Sequence, residues 1–343
     1  MDCFYAAVET REKPHLNGQP IAVGGTPESR GVVAACNYQA RAFGVHSAMP
    51  MSQALIKCPQ LKILNVNMSL YKHVSKHIQN IFKNYTDLVQ PLSLDEAFLD
   101  VTNSKQCKGS ATLIAQKIRK QIFDEQNLTA SAGIAPNKFL AKVASDWNKP
   151  NGQFVITPEH VNDFVIQLPV NKIFGVGKVT HKKMLRLGIE TCADLQIFSQ
   201  LELSKLFGKF GNQLYSLSRG IDNRPVIANS IRKSLSVEDT FRQDKTNLIM
   251  CLEEINPLFK SLVKRLGKSQ KNKKLPIKCL YVKLKFNNFK TTNAQMISSS
   301  VEIELYKKLI TKAWNRGQRP VRLIGLGVQF SQEKNTTQML LPF

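Results

Sequence analysis

"PLSLDEAFLDV", residues 91–101, places two acids side by side within an apolar, strand-prone run. Burying one unpaired carboxylate costs on the order of several kcal/mol. In a continuous strand Asp95 and Glu96 would project to opposite faces, so acting together requires a hairpin bend where the pleat breaks. Two carboxylates brought together repel, and a divalent cation relieves the repulsion. With hard oxygen donors and no His or Cys beside them, Mg²⁺ is the expected ion. Two such ions about 3.5–4 Å apart activate an attacking oxygen and neutralise a leaving pyrophosphate. A site of that kind normally draws a third carboxylate from another strand. Spacing alone reads equally as a solvated hairpin tip.

Around the hairpin the text alternates. "YKHVSKHIQNIFKNY" (71–85) reads as a helix with Val74, His77, Ile78 and Phe82 at i, i+3/i+4 spacing. A second helix follows at 111–126, then a strand, "TASAGIA" (129–135), and a helix over 136–152 opened by Pro136 and stopped before Pro150. Strand, helix, hairpin, helix, strand is the grammar of an α/β sandwich with a split βαβ core. Residues 11–66 mix Gly/Pro turns with a helix-like run near 38–44 and a strand-like "LKILNV". His73 and His77 lie one turn apart, but the glutamate of a zincin motif is absent between them.

From about residue 158 the chain turns helical. "IFGVGKVTHKKMLRLGI" (173–189) sets a Gly-x-Gly turn, Gly175 and Gly177, before Lys178, and "LFGKFGNQLY" (206–215) echoes it. A helix–hairpin–helix turn of this kind aims backbone N–H groups at a DNA phosphate without reading bases. Residues 223–233 read as a linker with a basic end, Arg232 and Lys233. Beyond it the pattern is β-α-β-β-α-β. In "LYVKLKF", Leu280, Val282, Leu284 and Phe286 face one way, while Tyr281, Lys283 and Lys285 present amines on the other. A solvated face would look the same.

The chain of 343 residues carries 48 Lys/Arg against 25 Asp/Glu, a net charge of +23. Such a field attracts polyanions, nucleic acid above all. Residues 231–290 hold fifteen of the basic and five of the acidic residues, which concentrates +10 in one segment. There is no apolar run long enough for a membrane span and no signal-peptide pattern, so a cytoplasmic protein is expected. Seven scattered cysteines without C-x-x-C spacing argue against disulfide and zinc frameworks.

Six stretches, in order, carry a resemblance: "MDCFYAAVE" (1–9), "ACNYQARAFGV" (35–45), "SLDEAFLDV" (93–101), "SAGIAPNKFLAKVASDWNKPNGQ" (131–153), "GVGK" (175–178) and "RKS" (232–234). Together they resemble the Y-family of translesion DNA polymerases, in its bacterial DNA polymerase IV branch, over nearly the whole length. The resemblance implies an α/β multidomain fold: a palm from 1–10 and 67–157 with its first strand missing, small fingers at 11–66 and a helical helix–hairpin–helix thumb at 158–222. A linker at 223–231, a β-α-β-β-α-β little finger at 232–333 and a tail at 334–343 complete it. Asp95 and Glu96 then belong to a catalytic site of two Mg²⁺ ions, and Tyr5 matches the steric gate that excludes a 2′-hydroxyl. Phe4, Tyr38, Arg41 and Lys149 match residues that bind the incoming triphosphate. Arginine forks onto phosphate oxygens where lysine supplies a point charge. Gly175, Gly177, Lys178, Arg232, Lys233, Lys283 and Lys285 are the implied DNA contacts. The tail "QMLLPF" resembles a sliding-clamp-binding peptide through Gln338, Leu340, Leu341 and Phe343.

Departures accompany the resemblance. Ala35 stands where the family often has a threonine, a lost hydrogen bond of about 0.5–1.5 kcal/mol. Trp147 and Phe174 replace a smaller residue and a proline. The family's first metal-binding aspartate falls immediately before the position of Met1, at the end of the missing strand. Asp2, roughly 6.5 Å along a strand, is too far to replace it unadjusted. A mis-called start with the true start upstream is the expected explanation, and the missing strand should leave a sheet edge exposed. The expected activity is low-fidelity, template-directed addition of dNTPs to primed DNA, by a monomer, in DNA damage tolerance, with no room for a proofreading exonuclease. The rivals are a catalytically dead DNA- and clamp-binding protein and a nucleotide cyclase with a similar core.

Overall fold

The computed structural model describes residues 1–229, 231–270 and 275–331. The chain divides into two compact units. The described residues of Met1–Gly24, Val33–Met49 and Ala54–Ser230 form one, and those of Gly25–Val32, Pro50–Gln53 and Ile231–Phe343 form the other. The loop Gly25–Val32, expected within a single fingers segment, groups instead with the second unit, where Arg30 pairs with Asp244.

In the first unit α1 (Phe4–Glu12) precedes a small sheet of β1 (Ile21–Gly24), β2 (Val33–Cys36) and β3 (Lys62–Leu64) in the order β2-β1-β3. Between its strands run α2 (Tyr38–Ala42) and α3 (Met51–Lys57). Next come α4 (Met68–Lys83), the hairpin β4 (Val89–Pro91) and β5 (Ala97–Leu99), and α5 (Ala111–Gln126). The sequence signals explain α5 well. Ser110 accepts from the Leu113 N–H at its start, Asn127 adopts a left-handed conformation at its end, and Ile114, Ile118 and Ile122 bury one stripe. In α4 the buried positions are Tyr71, Val74, Ser75, Ile78 and Ile81. His77, expected on that face, is exposed, with its Nε2 3.2 Å from that of His73.

β6 (Ala132–Ile134), α6 (Lys138–Ala144) and β7 (Gln153–Val155) follow. α6 is capped by Asn137 and ends at Ala144, short of the expected stop just before Pro150. The residue before a proline disfavours helix, and the chain turns early enough to set the Trp147 ring among Phe154 and Phe164, at 5.6 and 5.0 Å. Asp222, just before the linker, accepts from the Phe139 N–H at the start of α6 and binds Arg224, so the start of the linker is tied to α6. The helical segment holds α7 (Val161–Ile166), α8 (Lys178–Arg186), α9 (Cys192–Gln196), α10 (Gln200–Phe207) and α11 (Lys209–Leu217).

The expected palm sheet is not continuous among the described residues. β4 and β5 pair only with each other, antiparallel, and β6 pairs only with β7, in parallel. A cavity of about 220 Å³ has Phe98 and Leu99 from one pair and Gly133 and Ile134 from the other in its lining, with Ile118 and Met1. The apolar residues Phe98, Leu99 and Ile134 that line it are only half-buried.

The second unit contains β8 (Ser234–Lys245), α12 (Leu248–Glu253), α13 (Ile255–Gln270), β9 (Ile277–Phe286), β10 (Thr291–Ile297), α14 (Ile303–Trp314) and β11 (Val321–Phe330). This is the expected β-α-β-β-α-β order, with its first helix in two pieces. The antiparallel sheet runs β10-β9-β11-β8. Leu280, Val282, Leu284 and Phe286 lie in the core with Leu262, Tyr306 and Ile310 from α13 and α14, as the alternation requires. On the open face β11 carries Gly325 and Gly327. A Cβ at Gly327 would fall 2.3 Å from the Tyr281 ring, so the tyrosine lies flat across the strand.

Close approach also governs β6, where a Cβ at Gly133 would fall 2.1 Å from the Ala141 carbonyl oxygen of α6. Backbone cannot yield as a side chain does, so Gly133→Ala is expected to lower stability by about 1–3 kcal/mol. Gly267 is exposed in the last turn of α13 with nothing near its Cβ position, and Gly267→Ala should raise stability by up to about 0.5–1 kcal/mol. Urea unfolding midpoints of the two variants must move in opposite directions, and a shared sign contradicts this packing.

Candidate active site and nucleic-acid interface

β4 and β5 pair in the register Val89↔Leu99, Gln90↔Phe98 and Pro91↔Ala97, and residues 92–96 make the turn. The N–H groups of Leu92 and Ser93 both donate to the Glu96 carbonyl oxygen, at 2.9 and 3.3 Å. The pleat therefore breaks at the acids, as joint action requires. The Ser93 hydroxyl donates to Asp95 Oδ1 at 2.6 Å, and the Met1 ammonium donates to the Asp95 carbonyl oxygen at 2.8 Å. Burial holds that amine below its ordinary pKa, against the opposing pull of Asp95.

α6 runs alongside and supplies two lysines that sequence reasoning passes over. Lys138 donates to Gln90 Oε1 at 2.9 Å, and Lys142 donates to Glu96 Oε1 at 2.7 Å. Their one signal is i, i+4 spacing within the apolar "KFLAKVA". Nothing local shows that one meets Gln90 and the other Glu96.

Asp2 is only 3% exposed and is fully engaged. Its Oδ1 accepts from the Ser131 hydroxyl at 2.8 Å, and its Oδ2 accepts from the Asn151 N–H at 2.8 Å. It pins the turn that carries Lys149 and is not a spare ligand. Lys149 pairs with Asp146 at 2.8 Å. Burial works against the Lys149 charge, but the Asp146 hydrogen bond and charge more than offset it and raise the pKa above the ordinary value.

Phe4 is buried on α1, and Tyr5 beside it stacks on Tyr71 with ring centroids 4.2 Å apart and planes 12° from parallel. Tyr38 and Arg41 share α2, capped by Asn37, with the guanidinium carbon 5.4 Å from the Tyr38 ring centroid. Burial pushes the Tyr38 hydroxyl up to about 12. These groups share one electrostatic neighbourhood. Tyr5 responds to Asp95, Tyr38 to Asp2 and Asp146, and Lys149 to Asp2 and Glu96.

Among the described residues no three or more His, Cys, Asp or Glu side chains gather at one point. The donor set at the bend is the carboxylates of Asp95 and Glu96. Hard oxygens, few in number, suit Mg²⁺, which commonly takes one or two carboxylates and completes its shell with water and substrate phosphate.

Farther along the first unit, Gly175 has φ +103° and Gly177 caps α8, so the turn ends on exposed N–H groups beside the exposed Lys178. In the second unit Arg232 and Lys233 are exposed. Lys283 is not a free amine: it bridges to Glu238 at 3.0 Å across Gly325. Lys285 and Arg322 both lie over the exposed Phe289 ring, at 4.8 and 5.0 Å. Gln338, Leu340, Leu341 and Phe343 lie outside the described residues.

Residues 1–146 match the impB/mucB/samB family profile, and residues 232–341 match that family's C-terminal domain. Residues 171–222 match the profile described as DNA polymerase-iota, thumb domain. DNA polymerase IV of Actinobacillus pleuropneumoniae serotype 3 is 52% identical over 343 residues, covering 99% of this chain and 96% of that one. DNA polymerase IV of Pseudomonas syringae pv. tomato is 50% identical over 339 residues, with the same coverage. A solved Y-family DNA polymerase chimera superposes with a TM-score of 0.85 at 28% identity over 96% of both chains. The chain belongs to the Y-family of DNA polymerases. A second solved Y-family structure, an insertion ternary complex of Dbh DNA polymerase, superposes with a TM-score of 0.68 at 27% identity over 96% of both chains. The thumb match falls on the α8–α11 segment that carries the Gly-x-Gly turn, and the family's two-part profile brackets it.

The Lys149 turn yields a pH signature. Burial disfavours the Asp146 charge, but its hydrogen bond to Lys149 and the fields of Lys149, Lys142 and Lys172 outweigh that and lower its pKa. A depressed carboxyl contributes stability that is present above its unfolded pKa and lost as pH falls through the folded value. Its side chain is 53% exposed, so the contribution is ~1 kcal/mol or less. Thermal midpoints of Asp146→Asn and the parent should differ at pH 7 and converge below about pH 4. An equal gap at both pH values excludes the pair as the cause.

Proposed function

We infer that this chain is a template-directed DNA polymerase of the translesion type, which extends primed DNA with dNTPs. The match to DNA polymerase IV relatives along 99% of this chain carries the inference. The hairpin bend that carries Asp95 and Glu96 would supply the chemistry. The thumb and C-terminal matches weigh against a nucleotide cyclase.

In the assigned reaction the primer 3′-oxygen attacks the α-phosphorus of the dNTP in line. A new O–P bond forms, the bond to the bridging oxygen breaks, and pyrophosphate leaves. Mg²⁺ would be held by Asp95 and Glu96, as two ions, and would supply charge neutralisation for the attacking and leaving oxygens. Glu96 must part from Lys142 to serve, which frees an ammonium beside the phosphates. Arg41 and Lys149 bind the triphosphate oxygens, with Tyr38 alongside, and Asp146 and Asp2 keep the Lys149 turn in place. Tyr5, with Phe4 behind it, closes on the sugar face and excludes a 2′-hydroxyl.

In this reading residues 1–10 and 67–157 act as palm, 11–66 as fingers, 158–222 as thumb and 232–333 as little finger. The Gly175–Lys178 turn takes a DNA phosphate through its N–H groups, and Arg232, Lys233 and Lys285 add sequence-independent contacts. Lys283 contributes only by giving up Glu238. The family supports a sliding-clamp role for the terminal Gln338–Phe343 peptide, which would raise the effective concentration at the primer end. Work on chromosomal DNA suits a cytoplasmic protein, and no described helix is long and apolar enough to cross a membrane.

Two outcomes are expected. Asp95→Ala should reduce primer extension at least 100-fold while leaving primed-DNA affinity within about twofold; loss of binding would make the hairpin structural. Binding to primed DNA should weaken steeply with salt, as phosphate neutralisation releases counterions. A salt-independent affinity sinks the basic-surface assignment. Extension by the parent, against binding without extension, separates a polymerase from the binding-only alternative.

A further inference from the structure

Glu9 is an acid buried to 4% exposure on α1, and no role has yet been given to it. It lies one helical turn after Tyr5, so the two side chains leave the same face. Tyr71, fully buried on α4, meets both. Its ring stacks on Tyr5 and its hydroxyl donates to Glu9 Oε1 at 2.7 Å. The other Glu9 oxygen accepts from Lys13 Nζ at 3.1 Å, one further turn along. A carboxylate stays buried only when it is paired and hydrogen-bonded, and both Glu9 oxygens are.

Core neighbours such as Phe4, Val74 and Ile78 fix the rotation of the Tyr71 ring. Its hydroxyl lies on the ring's own axis, so the bond to Glu9 fixes where the far end of the ring sits, and with it the depth and tilt of the surface on which Tyr5 rests. A gate that rejects one extra oxygen depends on ring placement to a fraction of an ångström. We propose that Glu9 is a positioning residue for sugar discrimination, acting through the Tyr71 hydroxyl on the Tyr5 ring. The proposal rests on the reading of Tyr5 as the gate.

The test is single-nucleotide incorporation on primed DNA, comparing kcat/KM for a dNTP and its matched rNTP. Where turnover is too slow, the same ratio comes from equilibrium affinities on a dideoxy-terminated primer. Tyr71→Phe keeps the ring and removes the hydroxyl. It should lower the dNTP/rNTP ratio at least fivefold, with kcat for the dNTP within about twofold. Glu9→Leu should behave likewise, whereas Glu9→Gln, whose amide oxygen still accepts from Tyr71, should keep the parent ratio. Unfolding midpoints confirm that each variant is folded. If Tyr71→Phe folds and keeps the parent ratio while Tyr5→Ala collapses it, the gate stands and the Glu9 role is wrong. Equal losses for both nucleotides make Glu9 merely structural and also overturn the proposal. If Tyr5→Ala keeps the parent ratio, the gate reading fails and the proposal falls with it.

Discussion

Acid side chains withdrawn from water need partners, and the first unit is arranged around meeting that need. Adjacent acids at a hairpin bend are tolerable only with positive charge nearby, and α6 supplies it through Lys142 on Glu96. The same logic recurs at each buried acid. Asp2 is bound by Ser131 and the Asn151 N–H, Glu9 by Tyr71 and Lys13, and Asp222 by Arg224 and the Phe139 N–H. Each pairing also fixes a piece of chain: the Lys149 turn, the aromatic platform under Tyr5, and the linker at its exit. The acids are tie points whose removal would loosen the surroundings of the site even where they touch nothing reactive.

The second unit solves a different problem. Its sheet packs one face against α13 and α14 and leaves the other open. Glycines on β11 keep that face low, so Tyr281 lies down and Lys283 reaches Glu238 over the strand between them. Lysines of that face are therefore partly engaged in surface ion pairs, and its cationic surface is less dense than a count of lysines suggests. Surface pairs of this kind contribute little stability, about 0–1 kcal/mol, and can be exchanged for phosphate at small cost.

Local patterns made much of the architecture legible. Ser110, the Ile114–Ile118–Ile122 stripe and Asn127 mark both ends and the buried side of α5, and strict alternation assigns β9 its core face. The acidic hairpin was readable because opposed carboxylates in a strand make no chemical sense. Long-range contacts were not readable. His77 follows the helical period yet is exposed, because the period tolerates Ser75 and Ile81 in its place. α6 stops early to seat Trp147, a tertiary demand that Pro136 and Pro150 do not reveal. Lys142 and Glu9 each act on a distant partner that sequence spacing leaves open, and Lys283 is neutralised by a residue 45 positions away.

The cavity between the two separate strand pairs of the first unit bears on how the protein behaves in a tube. Among the described residues each pair presents an edge without a ladder partner, beside half-buried apolar side chains, and such edges are templates for pairing with a foreign strand. A net charge of +23 opposes the approach of a second copy, but that repulsion fades once the screening length falls to about 8 Å at physiological ionic strength. Added salt thus has two opposed uses for the biochemist: it strips nucleic acid from the preparation, and it removes the barrier that keeps copies from aggregating through these edges.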